Sequence, residues 1–300
     1  MDSGEGVVQL NLKDRGDKTM QEFPRTTVAG ISLPRLLIGS NWMLGYSHTS
    51  AAADDMIKHR YDTREAVSAM VEAYLEYGIN AMMAPFSQSS ILAEGAKLAQ
   101  QRTGRKVILI DTPILDVSDS REGREAALRE IRHGKDIGSD FCLIHHASCE
   151  QLVSKLKGTM DRLPDYLDMI RQCGMVPGLS AHMPEIILYA DQNEYDVETY
   201  IQMYNAAGFL MQVEVETVHK MIWQAKKPVM AIKPMAAGRL TPFVGLTFSF
   251  ATLREKDMVV VGAHTPREVH EDVEIALAAI ERRPPNIGKR SSPGKTVLHQ

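Results

Sequence analysis

From Leu36 onward, short apolar runs alternate with longer stretches in which apolar residues recur every three or four positions. The short runs occupy 36–40, 80–84, 107–111, 141–145, 176–180, 197–204, 229–233 and 258–262. They read as strands, and they are near-continuously apolar, as strands buried on both faces of a parallel sheet must be. The longer stretches, 63–77, 89–102, 121–137, 151–173, 183–191, 209–226, 241–254 and 266–283, read as helices. Thr63 precedes one such run, and Thr265-Pro266 supplies a second N-cap with proline in the first turn. Eight strand–helix units predict an α/β fold of the closed (β/α)8, or TIM-barrel, type. An open doubly wound sheet is the rival, and no Gly-x-Gly-x-x-Gly after an early strand supports it.

Three segments lie outside this repeat. Residues 7–12 and 24–35 read as an N-terminal extended or hairpin segment that plugs one end of the barrel. The stretch 45–61 holds Tyr46, His48, Asp54, Asp55, His59 and Arg60. It reads as a lid over the barrel mouth, with a passive loop or a short helix as the plainer alternatives. Residues 283–300 lack apolar periodicity and read as a flexible tail, so 1–282 form the single barrel domain.

Composition bounds the function classes. Charged residues make up 24% and the formal charge is −4, which argues against a chain-wide attraction to nucleic acid. No apolar run approaches the roughly 20 residues of a membrane span. The acidic start Met1-Asp2-Ser3-Gly4-Glu5-Gly6 lacks the order of a signal peptide. Three cysteines without a Cys-x-x-Cys pair suggest reduced thiols. The expectation is a cytoplasmic protein whose partner is a small-molecule substrate, with the oligomeric state left open.

Chemistry concentrates at predicted strand ends, where parallel barrels place their sites. Phe141-Cys142-Leu143-Ile144 runs into His145 and His146. Strand alternation sends one ring to the lumen and the other to the surrounding helices. His145 is the first candidate, and substitution of His146 is expected to act mainly on stability. Asp111 ends the third strand, His182 follows the fifth, Lys233 ends the seventh and His264 follows the eighth. Such a set suits proton transfer beside a carbonyl, with Lys233 as partner of an enolate. A divalent metal held by some of Asp111, His145, His182 and His264 is a second use of the same groups. Each has a plainer reading. Asp111 suits a turn before Thr112-Pro113, His182 and His264 suit helix starts, and Lys233-Pro234 suits a loop anchor.

The chain resembles the aldo-keto reductase superfamily from about residue 23 to 282. The resemblance is carried by the segment Phe23 to Leu36, by Gly78-Ile79-Asn80, Leu143-Ile144-His145 and Gly178-Leu179-Ser180, and by Tyr204-Asn205. Lys233-Pro234-Met235-Ala236-Ala237-Gly238-Arg239-Leu240 and Thr265-Pro266-Arg267-Glu268 complete it. The resemblance implies a barrel that reduces carbonyls with NADPH through an aspartate, tyrosine, lysine and histidine. Here the first three positions fall on Met83, on or near Gln88, and on Thr112, and only His145 keeps its residue. The family's phosphate-holding lysine and arginine fall on Gly262 and Glu268, with Asp272 nearby, and carboxylates repel a phosphate. NADPH is therefore disfavoured. If a nicotinamide binds, Ser180, Tyr204 and Arg267 are the expected contacts.

These features converge on a divergent, non-redox barrel enzyme of lyase, hydratase or isomerase type. Its substrate is expected to be a small polar carbonyl or a sugar-like molecule. An unusual NAD(P)H-dependent oxidoreductase and a catalytically inactive binding subunit are the alternatives.

Overall fold

The computed structural model describes residues 21–288. A hairpin of β1 (Arg25–Val28) and β2 (Ile31–Pro34) leads into β3 (Leu36–Gly39). The strands β4 (Ala81–Ala84), β5 (Ile108–Asp111) and β6 (Phe141–Ile144) follow. A two-residue-per-strand hairpin, β7 (Val153–Ser154) and β8 (Thr159–Met160), comes next. The series ends with β9 (Val176–Ala181), β10 (Thr199–Met203), β11 (Val229–Ile232) and β12 (Met258–Val261). Strands β3, β4, β5, β6, β9, β10, β11 and β12 pair in that order, and β12 closes on β3 with Val259 opposite Leu36. The barrel is closed, so the open-sheet rival is excluded.

Helices α1 (Asn41–Leu44), α2 (Ala51–Arg60) and α3 (Arg64–Leu75) follow β3. Next come α4 (Ser90–Thr103), α5 (Arg121–Ile137), α6 (His146–Cys149) and α7 (Leu163–Gln172). The set is completed by α8 (Glu185–Gln192), α9 (Val215–Gln224), α10 (Pro242–Thr252) and α11 (Pro266–Glu281). The capping chemistry is local. Thr63, Ser120 and Thr265 each accept a hydrogen bond from the backbone N–H three residues on. Gly138 ends α5 at φ 106°, a conformation costly to any residue with a Cβ.

Strand alternation divides the core into two layers. Leu37, Ala81, Met83, Ile108, Ile110, Phe141, Leu143, Met230 and Met258 fill the lumen. Leu36, Ile38, Met82, Leu109, Cys142, Ile144 and Val259 pack outward against the helices. Val28 and Leu33 of the first hairpin join the lumen cluster, so this hairpin plugs the barrel as expected. Fully burying such side chains contributes roughly 1.5–3 kcal/mol each before the entropy of ordering is subtracted.

Three expected elements differ. The stretch 151–173 is not one helix. Gly158 takes φ 63° in a turn between β7 and β8, and the helix starts only at Leu163 with Pro164 in its first turn. The stretch 209–226 becomes helical only at Val215, because the Asn205 side chain holds both the N–H and the carbonyl of Phe209 in a loop. In the expected tail, Arg283 and the Asn286 N–H are tied to Glu274 of α11 at 2.6 Å each. Residues 7–12 and 289–300 lie outside the described residues.

Candidate active site at the barrel mouth

The strand carrying the histidine pair stops one residue earlier than expected, at Ile144. His145 then caps α6, with its Nδ1 accepting the Ala147 N–H at 3.2 Å. An acceptor Nδ1 places the proton of the neutral ring on Nε2. His146 is already the first helical residue. Consecutive side chains there diverge by about 100°, whereas along a strand they would point to opposite faces. The His146 ring therefore does not face the surrounding helices. It stacks on His182, with centroids 3.6 Å apart and planes at 18°, and lies 4.2 Å from the His145 ring.

Glu150, one helical turn beyond His146, completes the group. Its Oε1 accepts the backbone N–H groups of His182 and Met183 at 2.7 and 3.0 Å. The loop after β9 is thereby fastened to the segment after β6. Sequence reasoning missed His146 and Glu150 as site residues, although the His-x-x-x-Glu spacing was the available signal. Burial, then the neighbouring His146, lowers the His145 pKa to about 4. Burial, then His146 and Lys233, lowers that of His182 to about 3. His146 is also lowered, mainly by burial. All three rings are neutral near pH 7.

Lys233 approaches from β11. Alternation along that strand would turn it outward with Val229 and Ala231, but its backbone adopts φ 59°. The ammonium Nζ lies 2.8 Å from Nε2 of His48, in the segment between α1 and α2. The stretch read as a lid is thus largely helical and reaches the mouth through His48. Burial lowers the pKa of Lys233, and its partner there is an imidazole. Ala236 and Ala237 are also left-handed, at φ 49° and 54°. Each such residue costs about 1 kcal/mol, and strain of this kind gathers at functional loops.

Other expected residues stand elsewhere. Ile108 and Ile110 face the lumen, so Asp111 faces outward. Its Oδ2 approaches Gly134 of α5 so closely that a Cβ there would lie 2.6 Å away. Asp111 is therefore not a mouth residue. Its Oδ1 accepts the Ser87 N–H at 3.3 Å, Oδ2 lacks a partner among the described residues, and burial raises the pKa to about 6. Tyr204 also faces outward. Its hydroxyl donates to Thr252 Oγ1 at 3.0 Å and its ring packs on Phe248, so it cannot stack on a ligand in the mouth. Ser180 is buried between the outward-facing Leu179 and Ala181, hence on the lumen side of β9.

His264 lies three strands round the barrel from β9, its ring against Trp42 at 3.6 Å. It does not join the other histidines. Its N–H donates to Glu268 Oε2 at 2.7 Å, and its carbonyl accepts the Tyr61 hydroxyl at 2.5 Å. Trp42 also covers Gly262, where an added Cβ would meet its ring at 2.7 Å. Arg267 is exposed and pairs with Glu271 at 3.5 Å. Met83 is buried in the lumen cluster, and Thr112 is buried at the end of β5.

A scan of family models finds no match to the chain, and a comparison with curated protein sequences finds none either. Solved structures do match. Two from Pseudomonas aeruginosa, both described as aldo-keto reductases by assignment, superpose with a TM-score of 0.62 at 12% and 14% identity. They cover 88% of this chain and 98% and 100% of their own. The Amycolatopsis orientalis BexX/CysO complex gives a TM-score of 0.51 at 14% identity, covering 90% of this chain and 100% of that one. The fold is thus an aldo-keto reductase-like closed parallel barrel.

Proposed function

We propose that this barrel is a non-redox enzyme of lyase, hydratase or isomerase type acting on a small polar carbonyl or sugar-like substrate. The observation that carries the reading is the convergence of His145, His146, His182, Lys233 and His48 at one mouth. A neutral imidazole of this row takes a proton from the carbon beside the carbonyl, and the electron pair moves onto the carbonyl oxygen. The Lys233 ammonium stabilises that oxygen, and the Nε2–H of His145 donates to it. Return of the proton to the same or the neighbouring carbon completes an isomerisation, and expulsion of a β-substituent completes an elimination. Proton transfer of this kind contributes about 10²–10⁴ in rate.

The residues present do not fit the nicotinamide dinucleotide phosphate that the scaffold implies. Glu268 places a carboxylate at the start of α11 and occupies the His264 N–H, while Trp42 fills the space over Gly262. A phosphate there meets a negative charge and a bulky ring. Tyr204, the expected stacking partner, faces α10. No step is assigned to a nicotinamide. A cytoplasmic location belongs to the same reading. No helix among the described residues is long and apolar enough to cross a membrane.

Fluorescence titration of the purified chain with NADPH and NADH tests the premise. The expected result is no saturable binding at micromolar nucleotide, with no carbonyl-dependent nucleotide oxidation across an aldehyde and ketone panel. Tight binding with turnover would overturn it.

A further inference from the structure

We infer that His146, Glu150 and His182 form a binding site for one divalent first-row cation of the zinc or manganese type, open to an oxygen ligand. One ligand atom from each of the three side chains lies within 4.8 Å of the other two. Ligand atoms about 2.1 Å from a tetrahedral ion stand about 3.4 Å apart, so binding draws the three inward and tilts the two stacked rings until their in-plane lone pairs converge. Two imidazoles and one carboxylate are a donor set for Zn and for non-haem metals, and they leave at least one position open.

The support around the three residues is what such a site requires. Glu150 Oε1 is held by two backbone N–H groups, which fixes the carboxylate and leaves Oε2 to face an ion. His146 and Glu150 are one helical turn apart, and His182 comes from the loop those same hydrogen bonds anchor. Among the described residues, the ring nitrogens of His146 and His182 have no hydrogen-bond partner, although both rings are half-buried. Lys233 is the opposing charge, two strands away on β11, and Glu150 offsets it.

This set differs from the one expected from sequence. Asp111 faces α5 and His264 lies beside Trp42, so neither reaches the ion. With the ion bound, His146 and His182 become ligands; His145 keeps its Nε2–H as a proton donor, while Nε2 of His48 accepts from Lys233. Polarisation of a substrate carbonyl by the ion rests on the proposed reaction, but binding of the ion does not.

The full-length chain, freed of metal by chelator and dialysis, is titrated with Zn²⁺ by calorimetry and with Co²⁺ by visible absorbance. One equivalent is expected, with a four- or five-coordinate Co²⁺ spectrum. His146→Ala, His182→Ala and Glu150→Gln should each weaken binding 100-fold or more, while His264→Ala retains it. Circular dichroism shows which variants fold. Should the ligand variants fail to fold, carbethoxylation of wild-type histidines gives the same answer: Zn²⁺ must protect His146 and His182. Absence of a bound equivalent, affinity unchanged in the folded ligand variants, or no protection of these two rings overturns the site. Binding without turnover on any carbonyl removes the proposed reaction and leaves the site. Turnover by metal-free protein that binds no ion removes the site and leaves the reaction.

Discussion

Lys233 and His48 meet across the barrel mouth, Nζ to Nε2 at 2.8 Å, although 185 residues separate them in the chain. One is set by a left-handed turn at the end of β11, the other by the segment joining α1 to α2. The contact does two things. It holds an ammonium whose charge reaches His146 and His182, and it fastens the first long connection of the barrel to the end of β11.

The two effects separate by substitution. Lys233→Met removes the charge and keeps most of the bulk, and turnover should fall at least 100-fold. His48→Ala removes one hydrogen bond, worth about 1 kcal/mol, so the melting temperature should move by only a few degrees. Hydrogen exchange across 41–60 should nevertheless accelerate in His48→Ala. Retained turnover in Lys233→Met would place the ammonium outside the chemistry.

His146→Ala and His182→Ala should both depress kcat/KM by 100-fold or more, because the two rings form one stacked unit at the mouth. Strand alternation alone predicts otherwise, assigning His146 a stabilising role beneath the helices. Full activity in His146→Ala, accompanied only by a lower melting temperature, would show that α6 does not begin where the structure places it.

Asp111→Asn should stabilise the protein, and more so at pH 8 than at pH 4. The folded-state pKa of Asp111 is about 6, above its ordinary value of 3.8. Between these values the folded chain holds a proton that the unfolded chain has released. Stability therefore falls as pH rises through that window, and the full penalty persists above it. A neutral amide removes a penalty of roughly 1–3 kcal/mol at pH 8. Denaturant melts at the two pH values measure the difference. Turnover should be unaffected, and its loss in a folded variant would return Asp111 to the active site.

Gly178→Ala tests the closeness of the barrel wall. An added Cβ would lie 2.7 Å from Leu143 Cγ and 2.8 Å from the Thr199 carbonyl oxygen. The latter is backbone in the neighbouring strand β10 and cannot swing aside. A loss of about 2–3 kcal/mol in a denaturant melt is expected. An unchanged midpoint would mean that β6, β9 and β10 are less tightly spaced than described.

The barrel was legible because burial on both faces writes itself as short apolar runs. The runs at 81–84, 108–111 and 141–144 were identifiable by that pattern without any partner. The hairpin at 153–160 was hidden inside a stretch long enough for a helix, with only Gly158 to mark its turn. At the mouth, strand-end position drew attention to His145, His182 and Lys233 but also to Asp111, whose outward face was hidden because both faces of 107–110 are apolar and only the structure shows Ile108 and Ile110 in the lumen. His146 and Glu150 needed knowledge of where β6 stops and α6 starts, and a one-residue shift there changes which way a ring points. The approach of Lys233 to His48 depends on a positive φ at a lysine, which no composition or period announces.

The central claim is that this mouth moves protons beside a carbonyl. Small hydroxyketones, keto acids and ketose phosphates are incubated with the metal-supplemented full-length chain in D₂O and followed by proton NMR. For at least one of them, solvent deuterium should enter at the carbon next to the carbonyl without any nicotinamide. That exchange should vanish in His182→Ala and fall at least 100-fold in Lys233→Met. Absence of exchange across the panel, together with NADPH-dependent reduction of any member, would contradict the account and return the barrel to the redox chemistry of the enzymes it resembles.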